Sequence, residues 1–372
     1  MQVNDFEWNG KKVLITGASG FVGSWLSSVV ARLGATVCGV TRRKVHPFSA
    51  YNTLSVKDRI VTADVDVSDF QQVHDLLNAF DPDIIFHLGA IATVPVALRN
   101  PRRAYEVNTF GTLNLIEGCR RLQVGKVLVV CSTDHVFGSG ATIPPNGYTE
   151  DADVHFAGPY DTSKAAMELI VRSYAQTYSS PPNNLAPLRT VIGITRCANV
   201  FGKGDVAFRR VIPNFIDSGI RTKQIPLSYT ENGRQFIYVS DAVEGYVRFA
   251  SRLALASCCE RQPCTIGHFA IDHYSGTVKP FIRLRELADM AAHLTHATVV
   301  RTASTAAWAP HENREQALSC CATYAALAWS PRKTLEEGLS SALSWFQAIA
   351  AGNCHRLTRL AEDDLDATVR SF

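Results

Sequence analysis

A chain of 372 residues, 46% hydrophobic and 19% charged, has room for one large α/β domain or two modest ones. Its net charge of +3 gives little pull on a polyanion, which argues against nucleic acid as a partner. No stretch approaches the ~20 apolar residues of a membrane span, and the opening Met1–Trp8 is acidic rather than leader-like, so the ten cysteines are expected as reduced thiols in a cytoplasmic protein.

In chain order, Lys12–Thr16 predicts a strand, and Trp25, Leu26, Val29, Val30 and Leu33 recur at helical spacing behind it. Between them lies Gly17-Ala18-Ser19-Gly20-Phe21-Val22-Gly23. Glycines there allow a tight turn and close backbone approach, and a helix opening at that point offers unpaired amides to a pyrophosphate. Strand two, Thr36–Val40, runs into Thr41-Arg42-Arg43 with no acid. A carboxylate would bind ribose hydroxyls, whereas arginine accommodates a 2′-phosphate, so this end tilts toward NADP unless the arginines are merely solvated. Ile60–Ala63 is strand three; Asp66-Val67 beyond it is placed to hold an adenine edge, and a helix follows over Phe70–Phe80. Strand four covers Ile84–Leu88, a helix runs from about Arg102 to Leu122, and strand five is Lys126–Cys131.

Strand five ends in Ser132-Thr133-Asp134-His135. The carboxyl end of a buried parallel strand is where open α/β sheets hold ligands. Next comes Tyr160-Asp161-Thr162-Ser163-Lys164 on a helix reaching about Tyr178, with Tyr160 and Lys164 on one face. A cation beside a phenol favours the phenolate, a proton acceptor near neutral pH. Pro181-Pro182-Asn183-Asn184 is a loop, and Thr190–Arg196 is strand six. Such alternation predicts an α/β fold, a Rossmann-type doubly wound parallel sheet with right-handed crossovers. Residues 1–201 form the dinucleotide-binding domain carrying the catalytic groups. The stretch 202–354 is mainly a smaller, mixed α/β C-terminal substrate-binding cap, with a loop at Ala256–Thr277 and amphipathic helices at Leu284–Leu294 and Leu335–Ile349; some segments return to the first domain. A charged tail, 355–372, is expected to fray. Cys258, Cys259, Cys264, His268 and His273 lack the paired spacing of zinc sites, so no metal is expected.

Together these residues resemble the extended short-chain dehydrogenase/reductase family, in its branch acting on nucleotide sugars. The resemblance runs through the Gly17/Gly20/Gly23 turn, Asp66-Val67, His87-Leu88-Gly89-Ala90, Asn108 within Asn108–Asn114, the Tyr160/Lys164 pair, Arg196–Gly202, Arg234–Asp241, and Leu327–Pro331 with Leu335–Gly338. It implies a tightly bound, internally regenerated NAD or NADP, with Ser19, Phe21, Val22, Leu88, Gly89, Ala90 and Asn108 among its contacts. An NDP-sugar would lie between sheet and cap against Val94, Asn199, Arg209 and Arg234. A homodimer through two helices of the first domain is implied as well.

Within that branch the 4,6-dehydratases share Thr-Asp at the strand end, followed by Glu in the dTDP-glucose enzymes and typically Lys in the CDP-glucose enzymes. His135 departs from both, while Gly204-Asp205 and Arg209–Pro213 look nearest to the CDP-glucose type. The implied chemistry has Tyr160 taking the proton of the sugar 4-hydroxyl, Thr133 bonding that oxygen and Lys164 holding the cofactor ribose. Asp134 then serves as acid toward the departing 6-hydroxyl and His135 as base at C5. A 4-epimerase would need no acid at Asp134, and a 4-keto-sugar reductase, which resembles the chain around Ser132–Phe137, would consume NADPH. A catalytically silent protein of the same fold is the remaining alternative.

Overall fold

The computed structural model describes residues 6–41, 45–138, 143–155, 157–181, 185–228, 230–256, 264–271, 280–302 and 314–372. Its first half alternates strand and helix: β1 (Lys12–Thr16), α1 (Phe21–Arg32), β2 (Thr36–Val40), α2 (Ala50–Thr53), β3 (Val61–Ala63), α3 (Phe70–Phe80), β4 (Ile84–His87), α4 (Val94–Arg99), α5 (Pro101–Tyr105), a π turn (Glu106–Phe110), α6 (Gly111–Leu122), β5 (Val127–Thr133), α7 (Pro159–Tyr178) and β6 (Val191–Cys197). The second half holds β7 (Asn199–Phe201), α8 (Val211–Arg221), β8 (Gln224–Leu227), β9 (Gly233–Arg234), β10 (Phe236–Tyr238), α9 (Val239–Leu255), β11 (Cys264–Phe269), β12 (Ile282–Arg283), α10 (Leu284–Thr295), β13 (Thr298–Arg301), α11 (Cys321–Leu327), α12 (Leu335–Ala350) and α13 (Cys354–Val369).

Seven strands form the central sheet in the order β11-β6-β5-β4-β1-β2-β3, every neighbouring pair parallel. Alternation along each strand feeds two apolar layers. Val13, Ile15, Val127 and Val129 join Trp25, Leu26 and Val247 on one face, while Leu14, Leu128 and Val130 join Leu77, Ile116 and Val171 on the other. Both faces are therefore covered by helices, which is why the strands read as continuous apolar runs. Order reverses between β1 and β4, and a crevice opens there at the strands' carboxyl ends.

The second half departs from the sequence reading in two places. β11 lies inside the expected loop at 256–277, yet it adds a seventh parallel strand beside β6, with Cys264 opposite Ile192 and Phe269 opposite Cys197. The expected charged tail is helix α13, with Leu357, Ala361 and Leu365 buried against the core. Outside the main sheet, β8 pairs with β13, β7 with β10 and β9 with β12. Earlier in the chain, the single helix expected from Arg102 to Leu122 is broken by the π turn, and strand three begins at Val61. Among the described residues no helix is long and apolar enough to cross a membrane, and no group of metal-ligating side chains converges. Cys258, Cys259, His273 and 182–184 lie outside the described residues.

Candidate active site

A cleft of about 1140 Å³ opens at the switch point. At one end is the glycine turn. Gly17 has φ +72°, and a Cβ on it would meet the Gly89 nitrogen at 2.9 Å. On Gly23 a Cβ would stand 2.2 Å from the Gly17 carbonyl oxygen, so any side chain there pushes α1 off β1. The first residue before α1, Gly20, offers no side-chain cap, and Ser19, Gly20, Phe21 and Val22 line the cleft. This cradle of exposed amides at a helix N-terminus fits a dinucleotide pyrophosphate. Opposite it run Leu88, Gly89 and Ala90, also lining the cleft. Gly89 N–H donates to Thr16 Oγ1 (2.9 Å), which sits 2.7 Å from His87 Nδ1. Burial, then the Lys164 charge, pushes His87 down to about 3, so it is a neutral bracket.

Beyond the glycine turn, Asp66 and Val67, expected at the adenine edge, line the cleft. The Asp66 carboxylate is already held by Arg103 Nη2 at 2.7 and 3.1 Å and by Ser68. Arg103 faces the cleft too, and nothing in its sequence position marked it. Thr41 is not among the residues lining the cleft; its amide donates to the Ala63 carbonyl at 3.0 Å. Arg42 and Arg43 lie outside the described residues. Asn108, expected among the cofactor contacts, is 1% exposed and is not among the side chains lining the cleft. Its amide bridges the Ile91 backbone (2.8 and 3.1 Å) and Ser163 Oγ (2.9 Å), tying the π turn to α7 and to the loop after β4.

At the reacting end, β5 delivers Thr133 and then a 3-10 turn carrying Asp134 and His135. Thr133 Oγ1 donates to Asp134 Oδ1 (3.0 Å) and accepts from the His135 amide (3.3 Å). Asp134 is 3% exposed, and its second oxygen, Oδ2, has no hydrogen-bond partner among the described residues. Burial raises the Asp134 carboxyl above the usual carboxylate range, with His135 and Thr133 pulling the other way. His135 Nδ1 lies 3.2 Å from Asp161 Oδ1, and the imidazole meets the Tyr160 ring edge-on at 5.5 Å. Burial alone would lower His135, but the bond to Asp161 and the two carboxylates outweigh it, so the group is raised.

α7 presents Tyr160 and Lys164 to the same space, as the four-residue spacing anticipated. The expected depression of the phenol is not what the geometry gives. Burial drives Tyr160 upward, opposed by the bond to Thr133 and reinforced by Asp134 and Asp161. Lys164 Nζ instead donates to the Cys131 carbonyl (2.7 Å), and burial lowers it to about 8. At the cap side Val94, Asn199, Arg209 and Arg234 all line the cleft. Asn199 Nδ2 donates to the Gln235 carbonyl at 3.2 Å, and Arg234 is 6% exposed.

Three residues to which the sequence reading assigned no role also belong to the site. Arg210 clamps buried Asp205 at 2.9 Å and the Val200 carbonyl at 2.7 Å, and both side chains reach the cleft. Their five-residue separation in a loop carries no periodic signal. Asp161, next to Tyr160, finds His135 only through the fold.

The model of the family described as NAD dependent epimerase/dehydratase matches residues 13–256. The chain is 28% identical over 246 residues to CDP-glucose 4,6-dehydratase of Salmonella typhimurium, covering 66% of this chain and 68% of that one. It is 30% identical over 246 residues to UDP-glucose 4-epimerase of Mycolicibacterium smegmatis, covering 64% and 72%. The fold superposes on dTDP-glucose 4,6-dehydratase of Bacillus anthracis, solved in complex with NAD, with TM-score 0.73 over 91% of this chain and 97% of that one at 19% identity.

Proposed function

This chain belongs to the NAD dependent epimerase/dehydratase family, and from that premise we propose that it is an NDP-hexose 4,6-dehydratase of the CDP-glucose kind, forming a 4-keto-6-deoxy sugar nucleotide. The glycine turn and the Leu88–Ala90 wall would hold NAD, which supplies reversible hydride storage between C4 and C6. Tyr160 accepts the proton of the 4-hydroxyl, and Thr133 bonds the same oxygen. Because Tyr160 is raised by burial, its proton transfer relies on a cation brought near it when ligands fill the cleft, and Lys164 is one helical turn away. The 4-ketone then acidifies C5–H. His135 removes that proton while Asp134 protonates the departing 6-hydroxyl. Arg234 and Arg209 bind the diphosphate, a task suited to planar five-donor cations.

The observation that carries this reading is Asp134. A carboxyl that is 3% exposed, raised by burial and left with one unpartnered oxygen beside Thr133 fits an acid awaiting a hydroxyl. The similarity to a UDP-glucose 4-epimerase favours one second reading, 4-epimerisation, in which Asp134 has no chemical task. Incubating the protein with CDP-, dTDP-, UDP- and GDP-hexoses in deuterated water separates the two by NMR. Deuterium at C5 with loss of the 6-hydroxyl is expected; a C4 epimer lacking C5 exchange refutes the dehydratase. The proposal includes a homodimer through α6 and α7, where Phe110, at the end of the π turn just before α6, and Leu169 of α7 are 52% and 54% exposed; a monomer in sedimentation would remove it.

A further inference from the structure

Position 135 is where the chain departs from the dehydratase pattern, and the structure places a buried carboxylate against it. Asp161 is 2% exposed and sits in the first turn of α7. A buried carboxylate needs a partner, and the only one among the described residues is His135, whose Nδ1 lies 3.2 Å from Asp161 Oδ1. A second contact fixes the ring: Tyr160, the residue before Asp161, meets it edge-on at 5.5 Å and 76°. One helical turn therefore supplies both the phenol and the clamp on the imidazole.

We propose that Asp161 is the positioning residue of an aspartate–histidine dyad, holding the proton of His135 on Nδ1 and so assigning proton acceptance from C5 to Nε2. An anionic carboxylate accepts from Nδ1–H, which selects that tautomer. When the imidazole takes the C5 proton it becomes a cation, and the Asp161 carboxylate stabilises that cation, as a buried carboxylate does for a catalytic histidine elsewhere. No bond forms to Asp161; the C–H electron pair passes into the enolate of the 4-ketone, then expels the 6-hydroxyl with the Asp134 proton. The inference rests on the dehydratase reading and deepens it.

The charged and titratable groups facing His135 are Asp134 on its own turn, Tyr160 and Asp161 on α7, and Arg234 on β9. The bond to Asp161 and the carboxylates raise the imidazole; burial and Arg234 lower it. As the base must be neutral, C5 exchange climbs with pH through that raised value. Asp161→Asn removes a charge that raises it, so the climb moves to lower pH, by about one pH unit. At the same time an amide can satisfy the wrong ring nitrogen, so the plateau falls by roughly a hundredfold or more.

Solvent deuterium exchange at C5, measured across pH 5–9 in wild type, Asp161→Asn and Asp161→Glu, tests this, with 340 nm absorbance reporting C4 oxidation in parallel. Expected are a lowered plateau and an acid limb displaced downward in Asp161→Asn, C4 oxidation changed by less than about threefold, and recovery of the limb in Asp161→Glu. In a His135→Gln background, Asp161→Asn should add nothing. An NMR titration of His135, assigned by its loss in His135→Gln, should show the same downward move without any turnover. An unmoved limb and titration, or equal losses in both steps, overturns the dyad. If wild type eliminates no water from any sugar nucleotide, the dehydratase reading itself falls, while the NMR titration still judges the Asp161–His135 coupling.

Discussion

Asp134 and Lys164 make opposite demands on the folded chain, and both can be measured. Asp134→Asn keeps the shape but not the proton, so elimination should slow at least a hundredfold while 340 nm absorbance on adding substrate develops nearly as in wild type. Equal losses would remove the acid role. For Lys164 the charged form is the disfavoured one: its drop from 10.5 to about 8 corresponds to roughly 3 kcal/mol against the ammonium in the folded state. Between those two values the unfolded chain binds more protons than the folded one, so stability should rise with pH across that window. Lys164→Met should abolish turnover yet stabilise the protein at pH 7 by about 2 kcal/mol, once about 1 kcal/mol is subtracted for the lost bond to the Cys131 carbonyl. A melting temperature lowered by that change would contradict it. At this scale the sequence was legible where chemistry rides on short spacing: Tyr160 with Lys164, Thr133 with Asp134, Gly17 with Gly23. It was silent where partners come from distant segments. Asn108 carries a motif yet serves as a brace, and the Asp161–His135 contact has no footprint in spacing.

Arg196 shows how the elements are locked together behind the site. Fully buried on β6, it bonds Glu168 of α7 at 2.8 Å through Nη2 and the Glu150 carbonyl at 3.1 Å through Nη1, and it stacks over Phe137 at 4.9 Å. Glu168 in turn accepts from Ser132, the residue before Thr133. One ion pair thus fixes β5, β6 and α7 at the height where the reacting groups emerge. Glu168→Gln leaves a guanidinium buried without its counter-charge, and should cost roughly 3–5 kcal/mol in denaturant unfolding; a change below about 1 kcal/mol would show the pair to be dispensable. The strands of this core were readable because both faces are buried and the apolar runs are continuous. β7, β9, β10 and β12, two or three residues each, are too short for any period to register. β11 escaped notice because its Cys-Thr-Ile-Gly-His-Phe run mixes polar and apolar residues. Phe269 packs in the core, while His268 is buried by bonding the Ser319 carbonyl at 3.0 Å.

Across the whole molecule, α13 binds the two halves of the chain. Glu362 and Asp366 pair with Arg32 at the end of α1, and Glu362 also takes Arg59 at 2.8 Å. Asp364 accepts from Tyr238 (2.8 Å) and pairs with buried Lys203 (3.0 Å), whose Nζ also donates to the Leu360 carbonyl. Lys203 stands beside Gly204 and Asp205, which line the cleft. Asp364→Ala should therefore destabilise the protein by roughly 3 kcal/mol and raise the KM for sugar nucleotide, leaving the ratio of C5 exchange to C4 oxidation unchanged; a shift in that ratio would mean that Asp364 reaches the chemistry. The apolar stripe Leu357, Ala361, Leu365 was present in the sequence, hidden among six charges of either sign between Arg356 and Asp366, and only docking reveals it as a core face. Arg32 and Asp366 meet across 334 positions. Helix α1, which follows the nucleotide turn, is covered both by α9 and by α13, so its outer face is completed only when segments more than two hundred positions downstream have docked. Until that docking is complete, transient apolar surface on the half-built domain invites aggregation and chaperone capture.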